Sequence, residues 1–414
     1  MKEGLKLFFL GLFKIILLLV LIVGSISAYN STTFENTFNS YDKYIVLTFL
    51  IVLSQRIYFY IRYWRYIILP YSMSLYNRAT NEQKESNVYL DKFKRYDRRS
   101  KTIYFKNRLA IDKDLYLKNK AKIIHFLGFD KDDTIEIEIS VFNTKEIDIR
   151  VYKLPNSFNW HLGCLLDGYI YLGHSKDGSI FIPMQNLTSS ITCGESGSGK
   201  SNYLNMIIFS LLHNFNYIDK LYFIDLKGVE LSRYNLPNCD FVDNLDDVDT
   251  TLSNVKDIMN DRFKEMKEKG DLLYEGRYII CLIDEIGTIS TSNNKKKKES
   301  IFNSIIEISQ KGRASRVLLM IFSQKIDSTN IPTNVLTNLQ TSCLFRTSSQ
   351  YNINNAIGLQ EEIDEITRSR VQDFKKGRLI YKDGLTSQKI LLQSPFLSKE
   401  IQQSMINYFK QWIK

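Results

Sequence analysis

Two apolar runs dominate residues 1–70. Residues 7–28 are apolar or small throughout except for Lys14, and at 1.5 Å per helical residue they reach about 33 Å, enough to cross a bilayer. Residues 44–61 form a second run, broken by Gln55 and Arg56. Its aromatic tail (Tyr58, Phe59, Tyr60, Tyr63, Trp64, Tyr66) reads as an interfacial belt. Lys14 and Arg56 can snorkel toward the nearer surface. The first run also has the outline of a cleaved signal peptide, with Lys2 and Lys6 before it and Ser25, Ser27 and Ala28 at its end. A second span and a cytosolic type of site downstream favour a signal anchor. The intervening loop carries Glu35 and Asp42 against Lys43, while Lys2, Lys6, Lys14, Arg56, Arg62 and Arg65 lie on the other sides of the runs. By the positive-inside rule this is a two-span hairpin in the cell membrane, with both termini cytoplasmic.

From 71 to 110 the pattern is polar and is expected to form a helical stalk. Residues 92–108 are strongly basic, with Lys92, Lys94, Arg95, Arg98, Arg99, Lys101, Lys106 and Arg108 against Asp97. Attraction to anionic lipid is the preferred reading, and a path for DNA the sharper one. Residues 111–165 read as a small α/β region. A short helix falls within 115–129, and strict alternation at 134–139 and 147–151 marks two half-buried strands.

The remaining span, 166–414, alternates apolar strands with helical patterns and is expected to form an α/β domain with a mainly parallel sheet. A strand at 190–193 runs into Gly194-Glu195-Ser196-Gly197-Ser198-Gly199-Lys200-Ser201, which satisfies G-x-x-x-x-G-K-[ST]. Such a loop turns consecutive backbone N–H groups inward around phosphates, which needs glycine at positive φ. Lys200 would bring charge to the β- and γ-phosphates and Ser201 would ligate Mg2+. An apolar helical pattern at 202–214 places a helix N-terminus beneath them. Further on, Tyr278-Ile279-Ile280-Cys281-Leu282-Ile283 ends in Asp284-Glu285, a buried strand delivering two acids to the sheet edge. Asp284 would hold the Mg2+ through water, and Glu285 would orient and deprotonate the attacking water. Strands at 221–225 and 317–322 complete the pattern. The second ends in Ser323-Gln324, where Gln324 either senses the γ-phosphate or simply closes a strand in solvent.

Composition narrows the partners. The net charge of +10 suits a polyanion, nucleic acid or anionic lipid. The five cysteines show no C-x-x-C pair, which excludes a disulfide frame or zinc site and implies reduced, buried thiols. His125, His161, His174 and His213 have no ligand spacing.

The motifs resemble those of the FtsK/SpoIIIE family of DNA translocases over roughly residues 172–396. FIDLKGVELSRY (223–234) resembles the family's IDPK-x-x-EL-x-x-Y, and MNDRFKEM (259–266) its M-x-x-R-Y-x-x-M helix. KGRASRVLLMIFSQK (311–325) resembles KARAAG-x-H-L-x-x-ATQR, and PFLSKEI (395–401) the segment that closes the motor. The resemblance implies a RecA-like ATPase working as a ring, a homo-hexamer, with ATP at subunit interfaces. It makes Arg313 a finger reaching a neighbour's γ-phosphate, with Arg316 as rival because it replaces a glycine of the family's box. Lys325 falls where the family places a basic pore residue facing DNA. The tetralysine 295–298 has no counterpart and reads as a solvated loop.

Two spans and a compact motor, with no winged-helix reading module after it, look most like the Tcp-type coupling proteins of Gram-positive mobile elements. That likeness implies sequence-independent DNA binding, and a relaxase and transfer-channel proteins as partners. A secretion-type ATPase moving protein, a chromosome or plasmid DNA pump, and a recruitment scaffold are the alternatives.

Overall fold

The computed structural model describes residues 40–72, 92–106, 113–129, 131–142, 146–228, 230–234, 236–367 and 369–412. The first apolar run lies outside them. A boundary between Tyr152 and Lys153 divides the described residues into two compact units.

In the first unit, helix α1 (Ser40–Ser72) is followed by strands β1 (Lys92–Asp97) and β2 (Thr102–Lys106). Helices α2 (Lys113–Lys118) and α3 (Lys120–Leu127) and strands β3 (Ile135–Phe142) and β4 (Glu146–Lys153) come next. The four strands form one sheet in the order β1-β2-β4-β3. The basic stretch is therefore an antiparallel hairpin where a helical stalk was expected. Charge hides its alternation: Phe93, Ile103 and Phe105 turn inward beside Leu69, Tyr116 and Ile137, while Lys94 pairs with Glu146 and Arg95 lies over the Tyr104 ring at 4.3 Å.

The aromatic tail of the second run also has a different use. Phe59, Tyr63 and Tyr66, at helical spacing, place their rings 5.8, 5.5 and 5.8 Å from Phe93. Tyr63 and Tyr66 are partly buried against a protein core instead of meeting headgroups, whereas Phe59, like Tyr58, Tyr60 and Trp64, stays exposed. Among the described residues no helix is long and apolar enough to cross a membrane.

The second unit carries a ten-stranded sheet. Its strands are β5 (Tyr169–Ser175), β6 (Gly178–Pro183), β7 (Ser190–Cys193), β8 (Ile218–Asp225), β9 (Cys239–Val242), β10 (Tyr278–Asp284), β11 (Val317–Ser323), β12 (Thr341–Phe345), β13 (Arg378–Lys382) and β14 (Lys389–Gln393). The helices are α4 (Lys200–His213), α5 (Leu245–Lys269), α6 (Gly287–Ser290), α7 (Lys295–Lys311), α8 (Thr333–Leu336), α9 (Gln350–Ala356), α10 (Gln360–Ile366) and α11 (Lys399–Trp412).

The order β6-β5-β14-β13-β12-β7-β11-β10-β8-β9 makes the sheet mixed, its parallel part the larger by one pairing. From β12 to β9 every pairing is parallel. From β12 to β6 every pairing is antiparallel, because short turns join β13 to β14 and β5 to β6. The parallel strands read as unbroken apolar runs because both faces are covered; all seven residues of β11 are buried. All five cysteines are buried and free. The tetralysine is helical, forming the first turn of α7 behind the Asn294 cap. Lys297 pairs with Asp246, and Lys298 donates to the Ser290 carbonyl at 2.6 Å.

Candidate nucleotide site

Parallel strands end together, so β7, β8, β10, β11 and β12 deliver Cys193, Asp225, Asp284, Ser323 and Phe345 to one edge of the sheet. The loop 194–199 leaves β7 there. Gly194 donates its N–H to the Ser323 carbonyl (3.3 Å) and Glu195 to that of Arg346 (2.9 Å). A Cβ on Gly194 would stand 2.6 Å from that of Phe345, and one on Gly199, at φ 109°, would stand 2.8 Å from the Gly377 nitrogen. Only glycine fits either place.

Gly199 opens α4, so Lys200 and Ser201 occupy its first turn with the helix dipole behind them. Lys200 is buried to 9% exposure and Ser201 is exposed. Ser196 and Gly197 form the exposed lip of the loop, and Ser198 is fully buried with a hydroxyl that meets no partner. The Glu195 carboxylate turns toward Ser348, accepting its backbone N–H and its hydroxyl at 2.6 Å each. Those bonds, first the hydroxyl and then the amide, hold it below the usual carboxylate range. Glu195 thus offers a ligand only its backbone.

Asp284 stands in register with Asp225. Burial raises its pKa to about 6, with Asp225 and Glu285 adding to the rise and Lys200 opposing it. The next residue, Glu285, is left-handed (φ 54°), which turns its side chain back across the strand ends. Its Oε1 accepts the Gln324 N–H (3.3 Å) and the Ser323 hydroxyl (3.4 Å). Its Oε2 is buried with no hydrogen bond, and the Lys227 ammonium stands 3.6 Å away. Gln324 therefore reaches Glu285 through its backbone; its carbonyl accepts Asn352 Nδ2 at 3.0 Å.

An acid crowded by acids is what a divalent cation relieves. Among the described residues no group of three or more His, Cys, Asp or Glu side chains could hold a metal unaided, so Mg2+ here would share its shell with phosphate and water. Asp284 and the Ser201 hydroxyl fit that part.

Asp225 is the residue that sequence reasoning passed over. It is 1% exposed, and its carboxylate accepts the backbone N–H groups of Lys227, Gly228, Glu230 and Leu231 at 2.9–3.2 Å. It thereby shapes the turn that presents Lys227 to Glu285. An acid closing an apolar strand just before a glycine turn was the available signal.

Lys325 is exposed on a tight turn whose Ser323 hydroxyl donates to the Lys325 carbonyl at 2.7 Å. Arg313 and Arg316 are not brought to this edge. They precede β11, a strand length of about 20 Å from the phosphate loop. Arg316 is engaged there: it donates to the Gly276 carbonyl (2.7 Å) and lies over the Tyr278 ring at 5.1 Å. Arg313 is exposed.

Residues 178–271 match the model of the FtsK/SpoIIIE family. The DNA translocase FtsK of Staphylococcus aureus is 27% identical over 296 residues, 66% of this chain and 35% of the relative. The DNA translocase SftA of Bacillus subtilis is 25% identical over 287 residues, 64% of this chain and 28% of the relative. The chain thus spans about a third of the length of these curated relatives. The solved pCW3 conjugation coupling protein TcpA, a monomer form with ATPgS, shares the fold with a TM-score of 0.55. It is 19% identical, and the match covers 84% of this chain and 99% of that one. The matched segment and these relatives make the chain similar to the FtsK/SpoIIIE family, and the loop and acids on one sheet edge have the geometry of a P-loop nucleotide site.

Proposed function

We propose that the chain is a membrane-anchored, ATP-driven DNA translocase that acts as a coupling protein in conjugative DNA transfer. One observation carries the motor reading: a glycine-framed loop with Lys200 at a helix start lies on the same sheet edge as Asp284 and Glu285. Loop amides and Lys200 bind the phosphates. Asp284 and Ser201 would hold Mg2+, which neutralises phosphate charge when bound. Glu285 orients and deprotonates water, its Oε2 making no hydrogen bond within the chain and facing the Lys227 ammonium at 3.6 Å. Gln324, one residue past β11, monitors the γ-phosphate from the same edge.

The ring, a homo-hexamer, supplies what one subunit lacks. Arg313, exposed and remote from its own loop, acts on a neighbour's nucleotide, and Lys325 meets DNA phosphates irrespective of sequence. The DNA-translocase relatives support the substrate, and the fold shared with TcpA along nearly that protein's whole length supports conjugation over segregation. A relaxase and transfer-channel proteins would be its partners. Leu50, Ile51 and Val52, all exposed on α1, support membrane contact in the first half of that helix; the hairpin with cytoplasmic termini is the fuller form of that reading.

The test is ATPase activity of the full chain in detergent, with and without DNA. Stimulation by DNA of unrelated sequences is expected. Activity that ignores DNA and rises with a protein substrate would replace the reading with a secretion motor.

A further inference from the structure

Helix α9 meets the catalytic edge through two amide side chains that the nucleotide reading leaves unused. Asn352 is 1% exposed and spends its whole amide on neighbours. Its Nδ2 donates to the Gln324 carbonyl (3.0 Å) and to the Thr347 hydroxyl (3.1 Å), and its Oδ1 accepts the Ile326 N–H (3.0 Å). One side chain thus holds the backbone on both sides of Lys325, as a facing strand would. Asn355, exposed and about one turn further along α9, donates its Nδ2 to the Ile326 carbonyl at 2.6 Å.

This grip leads to Glu285. The Gln324 N–H that Glu285 Oε1 accepts (3.3 Å) belongs to the residue whose carbonyl Asn352 holds. The other donor to Oε1 is the Ser323 hydroxyl (3.4 Å), which is shared with the Lys325 carbonyl (2.7 Å). Both bonds to Oε1 are long, so they fix the carboxylate only as firmly as the turn 324–326 is itself fixed. Glu285 is left-handed besides (φ 54°), a conformation that persists only where its surroundings hold it.

The start of the same segment is tied to the phosphate loop. The Arg346 carbonyl accepts the Glu195 N–H (2.9 Å), and Ser348 donates its N–H and hydroxyl to the Glu195 carboxylate. Ser349 then caps α9 by accepting the Asn352 N–H (3.4 Å). Residues 346–355 therefore hold the turn in fixed relation to the loop.

Resting on the role proposed above for Glu285, we infer that Asn352 is a positioning residue for hydrolysis: through Gln324 it holds the Glu285 carboxylate in place beside the phosphate loop. It acts on Glu285 and not on the nucleotide. Its loss frees the Gln324 carbonyl and the Ile326 N–H, the turn relaxes, and Oε1 loses its fixed donor. The loop's own bonds stay intact, so nucleotide binding should survive what hydrolysis does not.

The test measures kcat, KM and ATPγS affinity of the full chain for Asn352→Ala, Asn355→Ala, Glu285→Gln and the double variant of Asn352→Ala with Glu285→Gln. Asn352→Ala should lower kcat on the order of 100-fold, the scale for a group displaced by about 1 Å, equally with and without DNA. ATPγS affinity should stay as in the wild type. Asn355→Ala should lower kcat about 5-fold, the scale of one lost hydrogen bond, again without a change in affinity. In the Glu285→Gln background, Asn352→Ala should leave the residual single-turnover rate unaltered, because a residue that acts only through Glu285 has nothing left to position. A role in packing alone would lower the melting temperature and leave kcat intact well below the transition, which overturns the assignment. An equal further loss in the Glu285→Gln background overturns it too. If Asn352→Ala does not fold, Asn355→Ala carries the test, and a wild-type kcat there overturns it. Wild-type hydrolysis by Glu285→Gln would instead remove the role given to Glu285, and this inference with it.

Discussion

The two edges of the parallel sheet are finished differently. At the edge where strands end, Ser198 Oγ, Glu285 Oε2 and the nearby Ser394 Oγ are buried without a hydrogen bond, Oε2 facing only the Lys227 ammonium at 3.6 Å, and Asp284 is crowded by Asp225 and Glu285. At the opposite edge the chain satisfies itself. Arg262, 6% exposed on α5, donates to the Ser315 carbonyl (2.9 Å), reaches Asp219 (3.4 Å) and lies over the Tyr274 ring (4.4 Å). The Tyr274 N–H closes on the Ala314 carbonyl at 2.8 Å. An unpaired buried polar group costs about 1–3 kcal/mol, so the first edge carries a deficit that a charged ligand would remove. Among the described residues the second carries none, and Arg313 is exposed there. Substitutions at the first edge should thus act on chemistry, and at the second on stability.

The largest effect expected is at Glu285. Glu285→Gln should lower kcat roughly 10^4-fold while ATPγS still binds, because an amide can hold the water but cannot take its proton. Steady-state hydrolysis near the wild-type rate would remove Glu285 from the mechanism and leave the deficit at that edge unexplained.

Arg313 departs from that division. Arg313→Ala should cost about 10^3-fold in kcat with melting temperature and nucleotide affinity unchanged. Mixed with Lys200→Ala subunits it should regain activity, since some interfaces then join an intact loop to an intact arginine. Arg316→Ala, which breaks the bond to the Gly276 carbonyl, should instead destabilise by about 1–2 kcal/mol. Failure of every mixing ratio to restore hydrolysis would refute the trans role.

Next comes Arg262→Ala, which strands the Ser315 carbonyl and should cost about 3 kcal/mol. For a unit of this size that lowers the melting temperature by about 6–12 °C. Nucleotide affinity, measured well below the transition, should not move. A parallel loss of affinity would show that the two edges are coupled.

How much of this was visible beforehand follows from the range of each signal. The phosphate loop and the strand 278–284 were legible because the chemistry is contiguous: glycines beside lysine, and an apolar run ending in acids. The hairpin 92–106 was not, because lysines and arginines sit at its outward positions and leave Phe93, Ile103 and Phe105 too sparse to set a period. The tetralysine opposes the helix dipole, so no propensity argument starts a helix there; the Asn294 cap and the ion pair of Lys297 with Asp246 offset the conflict. The pairing of β14 with β5 and the left-handed Glu285 depend on partners far away in sequence. Local pattern holds no trace of them.

The smallest effect is expected at Lys325, and it tests whether an exposed side chain beside the deficit edge has a ligand of its own. Ser323 fixes the turn by two bonds to the Lys325 backbone, at 2.7 and 3.2 Å, so the side chain can be removed without loosening the strand end. If it meets a phosphate, each such contact releases counterions, and log affinity falls with log salt at about −0.9 per phosphate on duplex DNA. Lys325→Ala should therefore flatten the slope by about 1 for each contacting subunit and reduce stimulation of hydrolysis by DNA, while basal nucleotide binding stays as in the wild type. The effect should be equal on unrelated DNA sequences, because phosphate contacts carry no base information. A lysine that merely ends a strand in solvent would leave both slope and stimulation unaltered, and that result would take the DNA path away from this edge of the sheet.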